Sequence, residues 1–182
     1  MKVSALCGSF RTGSYNQALL DALVARSPEG LEIVQLHEIR EFPFFSQDLE
    51  HTPPPAVTRV KAEIQSSDAL LLVSPEYDYN IPGYLKNAID WLGRPYGDTT
   101  LVGRPLALTG ASRGRGGTMR GQLSWRQGWH FFRAPVFSDA ELFCSDSANH
   151  FDASGKLASE DLARRIDAYL TAMKAWLERG CR

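Results

Sequence analysis

The segment from Gly8 to Asn16 holds the side chains of this chain best suited to binding an anion. It reads Gly8-Ser9-Phe10-Arg11-Thr12-Gly13-Ser14-Tyr15-Asn16 and follows a short apolar run. Aliphatic hydroxyls, one guanidinium and the free amides at the start of a following helix are groups that bind phosphate. Ser14 and Gln17 also have the spacing of a capping box, and a cap does not exclude an anion. The sequence favours a phosphate site over a cap alone.

Three known phosphate-binding motifs do not match this segment. A P-loop needs Lys where Ser14 stands. A small tyrosine phosphatase needs an Arg six positions after its Cys, and the residue six positions after Cys7 is Gly13. The first turn also lacks the G-x-G-x-x-G of a dinucleotide fingerprint. Because Cys7 ends an apolar run, we expect an inert thiol in the core.

Two further segments are unusual. Ser74 to Gly83 contains Pro75-Glu76-Tyr77-Asp78. The prolines and tyrosines of this segment indicate either a rigid aromatic turn that suits a flat heteroaromatic ligand or a plain turn between a strand and a helix. Gly110 to Gly117 has enough glycine for a backbone to approach a ligand closely, or for a flexible turn. Within it, Arg113 and Arg115 are either solvated or placed to meet a 2′-phosphate.

Short apolar runs alternate with longer helical patterns along the chain, which predicts a parallel sheet. The predicted strands are Lys2–Cys7, Leu31–Leu36, Ala69–Ser74, Pro105–Thr109 and Ala134–Phe137. Helices are expected at Asn16–Val24, near Val57–Gln65 and from Pro82 to Gly93. A last helix is expected where apolar residues recur at spacings of three and four from Leu162 to Leu177, with Ser159 as its N-cap. This pattern predicts an α/β flavodoxin-like doubly wound fold with strand order 2-1-3-4-5 and helices on both faces. In this order the switch point, where such sheets bind ligands, lies between strands 1 and 3, and the three unusual segments follow strands 1, 3 and 4.

Other aromatic and metal-ligating residues carry weaker signals. Trp125, Trp129 and Phe132 have helical spacing, which favours core packing over a subunit interface. The phenylalanines at 42, 44 and 45 favour local packing over a role in covering a ligand. The four His and three Cys residues do not form a metal-ligand pattern.

Composition excludes several classes of protein. The chain has 182 residues and a formal net charge of −1, with 43% hydrophobic residues. These values exclude a disordered chain and argue against a nucleic-acid-binding protein. No run approaches the length of a membrane span, the N-terminus reads as a strand, and three Cys residues form no disulfide framework. We therefore expect one domain over 1–182, in the cytoplasm.

The three segments together resemble the NADPH-dependent FMN reductase family, which includes flavodoxin-like quinone, chromate and azo-dye reductases. The family pattern G-S-x-R-x-x-S-x-N matches residues 8–16, and P-E-Y-N is matched by residues 75–78 except at Asp78. The pattern P-G-x-L-K-N-A-I-D-W matches residues 82–91. Gly110-Ala111-Ser112, Gly116-Gly117 and Phe151-Asp152 are also similar to the family.

The resemblance implies non-covalent FMN, with NADPH or NADH as electron donor and a quinone, free flavin, azo compound or similar small molecule as acceptor. It implies a ping-pong reaction, no catalytic side chain, no metal, and a homodimer or homotetramer. The implied phosphate-binding residues lie within 9–16 and are Ser9, Arg11, Thr12, Gly13, Ser14, Tyr15 and Asn16, and Gly8 is implied as a further cofactor-binding residue. The implied ring-binding residues are Pro75, Glu76, Tyr77, Asp78 and Ser112.

Two alternatives remain open at this stage. A flavodoxin-type electron carrier would bind flavin without oxidising NAD(P)H itself. Such carriers are usually strongly acidic, whereas this chain has 20 basic and 21 acidic residues. The other alternative is a flavin-free phosphate-binding or regulatory domain.

Overall fold

The sheet has the predicted number and order of strands. The structure, a computed structural model, describes residues 1–98 and 100–182. All strand pairs are parallel, and the order is β2-β1-β3-β4-β5. The strands are β1 Lys2–Cys7, β2 Glu32–Gln35, β3 Ala69–Val73, β4 Leu106–Ala111 and β5 Leu142–Cys144. The prediction of a flavodoxin-like doubly wound fold is confirmed.

Five α-helices cover the two faces of the sheet. They are α1 Tyr15–Ala25, α2 Pro55–Gln65, α3 Gly83–Leu92, α4 Met119–Trp129 and α5 Glu160–Glu178. One apolar cluster joins α1 and α5 to the sheet, and a second joins α2, α3 and α4 to it. Ser14 and Ser159 cap α1 and α5 as predicted, each accepting a hydrogen bond from the backbone three residues later. The chain therefore buries both faces of the sheet, as the apolar runs of β1 and β3 require.

The predicted fifth strand at Ala134–Phe137 is wrong. Pro135 lacks a backbone N–H, and this segment makes one bridge only, between Val136 and Leu106. The place beside the second half of β4 belongs to β5, where Leu142 pairs with Thr109. Phe137 instead inserts its ring into the core.

The predicted aromatic stripe on α4 does pack in the core. Trp125, Trp129 and Phe132 are all buried, and the last two make an edge-to-face contact. Within the described part of the chain, no helix combines the length and the apolarity needed to cross a bilayer.

Candidate functional site

The loop that follows β1 turns sharply because glycine occupies two critical positions. The Gly8 amide donates to the carbonyl of Val73, and a Cβ at this position would lie 2.6 Å from Leu85 Cδ1. Gly13 has φ +66°, in the left-handed region that favours glycine. Ser14 then starts α1 by accepting a hydrogen bond from Gln17 N at 3.3 Å. The loop thus places its backbone amides at the N-terminus of α1.

Two adjoining cavities lie at the carboxyl ends of β1, β3 and β4. The first, here called the ring cavity, has a volume of about 180 Å³, and the second, the phosphate cavity, about 340 Å³. Both share Ser9, Arg11 and Tyr15. The ring cavity is also lined by Asn16, Pro75, Glu76, Tyr77, Ala111, Ser112 and Arg113. The phosphate cavity adds Gly13, Ser14, Gln17, Ala18, Asp21, Arg40 and residues 152–155.

Ten of the thirteen residues predicted from sequence line these cavities. Gly8, Thr12 and Asp78 are outside both linings, although Gly8 shapes the turn that carries the others. The structure thus brings the three predicted loops to one place. The binding roles of the individual residues remain predictions.

Two guanidinium groups stand at the phosphate cavity. Arg11 donates to the carbonyl of Thr12 at 3.1 Å and lies 5.4 Å from the Tyr15 ring centroid. Arg40 lies 4.8 Å from the ring centroid of Phe10. Among residues 1–98 and 100–182, neither has a carboxylate oxygen within 4.0 Å. Sequence reasoning missed Arg40, because only the folded chain brings the β2–α2 connection beside the first loop.

One carboxylate that lines the phosphate cavity is satisfied within its own turn. Asp152 Oδ1 accepts hydrogen bonds from Ser154 and from the Lys156 amide. The Ser154 and Lys156 bonds hold the pKa of Asp152 below its ordinary value. This charge is therefore directed toward backbone donors of the 152–156 turn.

Asn16 ties the first helix to the fourth strand. Its amide donates to the carbonyl of Ala111 and accepts from the amide of Ala111, both at 2.9 Å. Because both polar ends of this buried side chain are engaged, Asn16 positions the site in addition to lining it.

The loop after β3 forms a two-residue hairpin turn. Tyr77 and Asn80 exchange both backbone hydrogen bonds, and Asp78 and Tyr79 have φ of 52° and 63°. Two consecutive left-handed residues define a type I′ turn, which favours Asn or Asp at its first central position. The Asp at 78 thus keeps the backbone that an Asn would adopt.

Glu76 anchors this hairpin to α4. Its Oε2 accepts from the amide of Gly121 at 2.9 Å, and its Oε1 lies 3.8 Å from an Arg120 nitrogen. Arg120 also lies 4.1 Å from the Tyr79 ring centroid. The carboxylate sits where the helix dipole is positive, which stabilises its charge.

The end of β4 approaches the first residue after β3 closely. A Cβ on Gly110 would overlap the carbonyl oxygen of Ser74, so this position requires glycine. Ser112 Oγ accepts from the Gly114 amide at 3.1 Å, while Arg113 is exposed at the ring cavity.

The thiol of Cys7 has the inert character predicted for it. Burial raises its pKa to about 11, and its Sγ donates to the carbonyl of Ser9 at 3.7 Å. A buried neutral thiol is a poor nucleophile.

Comparisons with known proteins agree with this geometry. A family model described as NADPH-dependent FMN reductase matches residues 1–149. An NAD(P)H-dependent FMN reductase of Pseudomonas aeruginosa is 39% identical over 180 residues, covering 98% of this chain and 96% of the relative. An NAD(P)H:quinone oxidoreductase of Solanum tuberosum is 38% identical, covering 96% of this chain and 92% of the relative.

The fold matches a known flavoenzyme over nearly its full length. The structure of FerB, a flavoenzyme NAD(P)H:(acceptor) oxidoreductase from Paracoccus denitrificans, superposes with a TM-score of 0.89 at 32% identity. The match covers 98% of this chain and 97% of FerB. From its motifs, its sheet order and these similarities, the chain belongs to the NADPH-dependent FMN reductase family.

Proposed function

We propose that residues 1–182 act as one FMN-binding unit that oxidises NAD(P)H and reduces quinones or similar small acceptors. The observation that carries this proposal is the pair of joined cavities. One end lies at the start of α1 and is lined by Arg11 and Arg40, and the other is bordered by the Pro75–Tyr77 loop and Ser112.

The residues present fit FMN. The start of α1 with Arg11 and Arg40 suits a phosphate dianion, since amides, helix dipole and guanidinium charge all favour it. The Ser9 hydroxyl lies at the boundary of the two cavities, where it can donate to the same ligand. Pro75, Tyr77 and Ser112 would hold the ring end.

FMN, when bound, supplies the capacity to take a hydride from NAD(P)H and to deliver two electrons to an acceptor. The protein binds and orients it, and Glu76 fixes the loop beside the ring cavity. Hydride transfer needs no side chain as acid or base, so we assign no catalytic residue. Arg113, exposed at the mouth, is suited to an anionic donor.

A visible spectrum of the purified protein with added FMN tests the proposal. We expect flavin absorbance that bleaches when NADPH or NADH is added without oxygen and returns when a benzoquinone is added. Flavin that binds but is not bleached by either donor would favour the electron carrier. Protein that stays colourless with FMN would favour the flavin-free domain.

We also propose that two copies, or two pairs of copies, associate through the α3–α4 face. A groove of about 270 Å³ lies there, bordered by the exposed rings of Tyr96 and Phe131. Tyr96 is 68% exposed and Phe131 is 62% exposed, and two exposed rings beside one groove form an apolar patch of the kind that marks protein contacts. Phe131→Glu should lower the mass found by sedimentation equilibrium, and an unchanged mass would contradict this.

The cytoplasm is the location that we propose. All three cysteines are free thiols, as is usual in a reducing compartment. Fractionation of the source cells would test this.

A further inference from the structure

A third cavity, here called the aromatic cleft, lies beside the ring cavity. Its volume is about 560 Å³, within the range of small-molecule sites. Its lining consists of Phe42, Pro43, Phe44, Tyr77, Gly83, Tyr84 and Asn87. Tyr77 lines both the cleft and the ring cavity, so the two spaces adjoin at this residue.

The segment that carries Phe44 is held rigidly from α3. The carbonyl of Pro43 accepts from Asn87 Nδ2 at 2.9 Å and from Trp91 Nε1 at 2.8 Å. The amide of Phe45 donates to Asn87 Oδ1 at 2.8 Å, and the Phe45 ring packs edge-on against Trp91. Both neighbours of Phe44 are thus fixed in place.

Phe44 itself is 90% exposed, in contrast to Phe42, which is buried. Local packing therefore explains Phe42 and Phe45 but not Phe44. Tyr84 is 60% exposed and Tyr77 48% exposed across the same cleft. Three exposed rings around one concave space form an apolar surface of the kind that marks a binding site.

Charge separates this cleft from the other two cavities. Among the described residues, no Asp, Glu, Lys or Arg lines the cleft, whereas the ring and phosphate cavities are lined by three arginines and three acidic residues, namely Arg11, Arg40, Arg113, Asp21, Glu76 and Asp152. Each of these carboxylates already accepts a hydrogen bond from a protein donor. The Asn87 side chain uses one N–H and its carbonyl oxygen to bind the backbone, so at most one N–H is left for a ligand in the cleft. An anionic dinucleotide suits the side that carries the guanidinium groups, and a neutral, largely apolar ligand suits the cleft.

We propose that the aromatic cleft binds the apolar substituent of a neutral quinone acceptor whose reacting head enters the ring cavity. This inference rests on the proposed function and adds a preference for quinones that carry an alkyl or aryl tail. Phe44 is the residue that determines this specificity.

The test compares two quinones that share one head. They are 2,3-dimethoxy-5-methyl-1,4-benzoquinone and the same ring carrying a decyl chain, each with NADPH as donor. We expect the wild type to have the higher kcat/KM with the decyl quinone. Phe44→Ala should lower that value about tenfold, while the tailless quinone and the KM for NADPH change by less than about twofold.

A control and a binding measurement accompany the kinetics. Leu49→Ala removes an exposed side chain that lies, like Phe44, between β2 and α2 but outside the cleft. In this control variant, the kcat/KM for both quinones should equal that of the wild type. Calorimetric binding of the reduced decyl quinone to FMN-loaded protein should weaken about tenfold in Phe44→Ala only.

Several outcomes would overturn the inference. Equal kcat/KM for the two quinones in the wild type would show that the cleft binds no tail. A rise in the KM for NADPH alone would assign the cleft to the donor. A lower mass of Phe44→Ala in sedimentation would assign it to a second copy. By contrast, a wild type that reduces neither quinone would contradict the proposed function itself.

Discussion

The amide of Gly121 donates a 2.9 Å hydrogen bond to the carboxylate of Glu76, and so joins the first turn of α4 to the loop after β3. A Cβ at Gly121 would lie 3.4 Å from the carbonyl oxygen of Asn80 and 3.5 Å from Glu76 Cβ. These are ordinary van der Waals distances, so the hydrogen bond rather than the absence of a side chain at Gly121 holds the loop against the helix. The position of the loop after β3 therefore depends on a helix that lies outside the ring cavity.

Glu76→Ala should destabilise the protein by about 1–2 kcal/mol, because it removes a charge-assisted bond at a helix N-terminus. It should also weaken FMN binding, since the loop loses its anchor. Urea unfolding and equilibrium FMN titration measure the two effects. Glu63→Ala, at an exposed ion pair with Lys2, should change stability by less than about 1 kcal/mol. Unchanged stability in Glu76→Ala would show that the anchor is dispensable.

Removing either guanidinium of the phosphate cavity should weaken FMN binding. We expect Arg11→Ala and Arg40→Ala each to raise the Kd for FMN about five- to tenfold, because a charge-assisted contact to phosphate is lost. Riboflavin, which lacks the phosphate, should bind the variants and the wild type alike. Arg59→Ala is the matched control, since Arg59 is exposed and pairs with Glu41 away from the cavity. Equal losses for FMN and riboflavin would argue against phosphate contacts.

Asp78→Asn should raise the reduction potential of bound FMN. Asp78 does not line the ring cavity but directly follows Tyr77, which does, so its negative charge would disfavour the added negative charge of reduced flavin, and an amide would not. Because an exposed charge acts through water, we expect a rise on the order of 20 mV. Asn keeps the left-handed turn, so the backbone is preserved. Spectroelectrochemical titration measures the effect, with Asp161→Asn on α5 as control; no change or a fall in potential would refute it.

The ion pair between Lys61 and Asp98 should make stability depend on pH. Burial alone would raise the pKa of Asp98, but hydrogen bonds from Thr100 and Lys61 outweigh it and hold the pKa below 3.8. This stabilisation is thus complete above pH 3.8 and is lost as the pH falls toward the lower pKa of the folded protein.

Asp98→Asn should therefore cost about 2 kcal/mol at neutral pH, since it leaves the largely buried Lys61 ammonium without its counter-charge. The difference from the wild type should shrink in acid. Urea unfolding from about pH 7 down to about pH 3 measures it. Asp167→Asn, in an exposed pair with Arg26, should cost less than about 1 kcal/mol. A difference in stability between Asp98→Asn and the wild type that stays constant across this pH range would contradict the stabilising role given to the charge of Asp98.

Much of the fold could be predicted because strands buried on both faces are continuous apolar runs. The run at β3 and the caps Ser14 and Ser159 are local signals that tertiary packing reinforces. The fifth strand could not be placed in this way. Ala134–Phe137 and Leu142–Cys144 are both short and apolar, and only pairing with β4 distinguishes them.

The part of the candidate site that lies in one continuous segment could be predicted, because the residues that shape the loop after β1 are also those that would bind the ligand. Glycines and hydroxyls after β1 mark the loop in the sequence itself. Arg40 was not predictable, because its place depends on how the β2–α2 connection folds back over Phe10. Nor does sequence distinguish Phe44 from its buried neighbour Phe42, since exposure follows from how α3 holds Pro43.

The two hydrogen bonds between Asn16 and Ala111 have a consequence for ligand length. They fix the start of α1, where the phosphate would bind, relative to Ser112, which lines the ring cavity. Asn16→Asp could not donate to the carbonyl of Ala111, so only an amide holds both bonds. The span between the phosphate cavity and the ring cavity is therefore set before a ligand arrives. We expect molecules whose phosphate and ring are separated by a shorter or longer chain than that span to bind less tightly, whatever their chemistry.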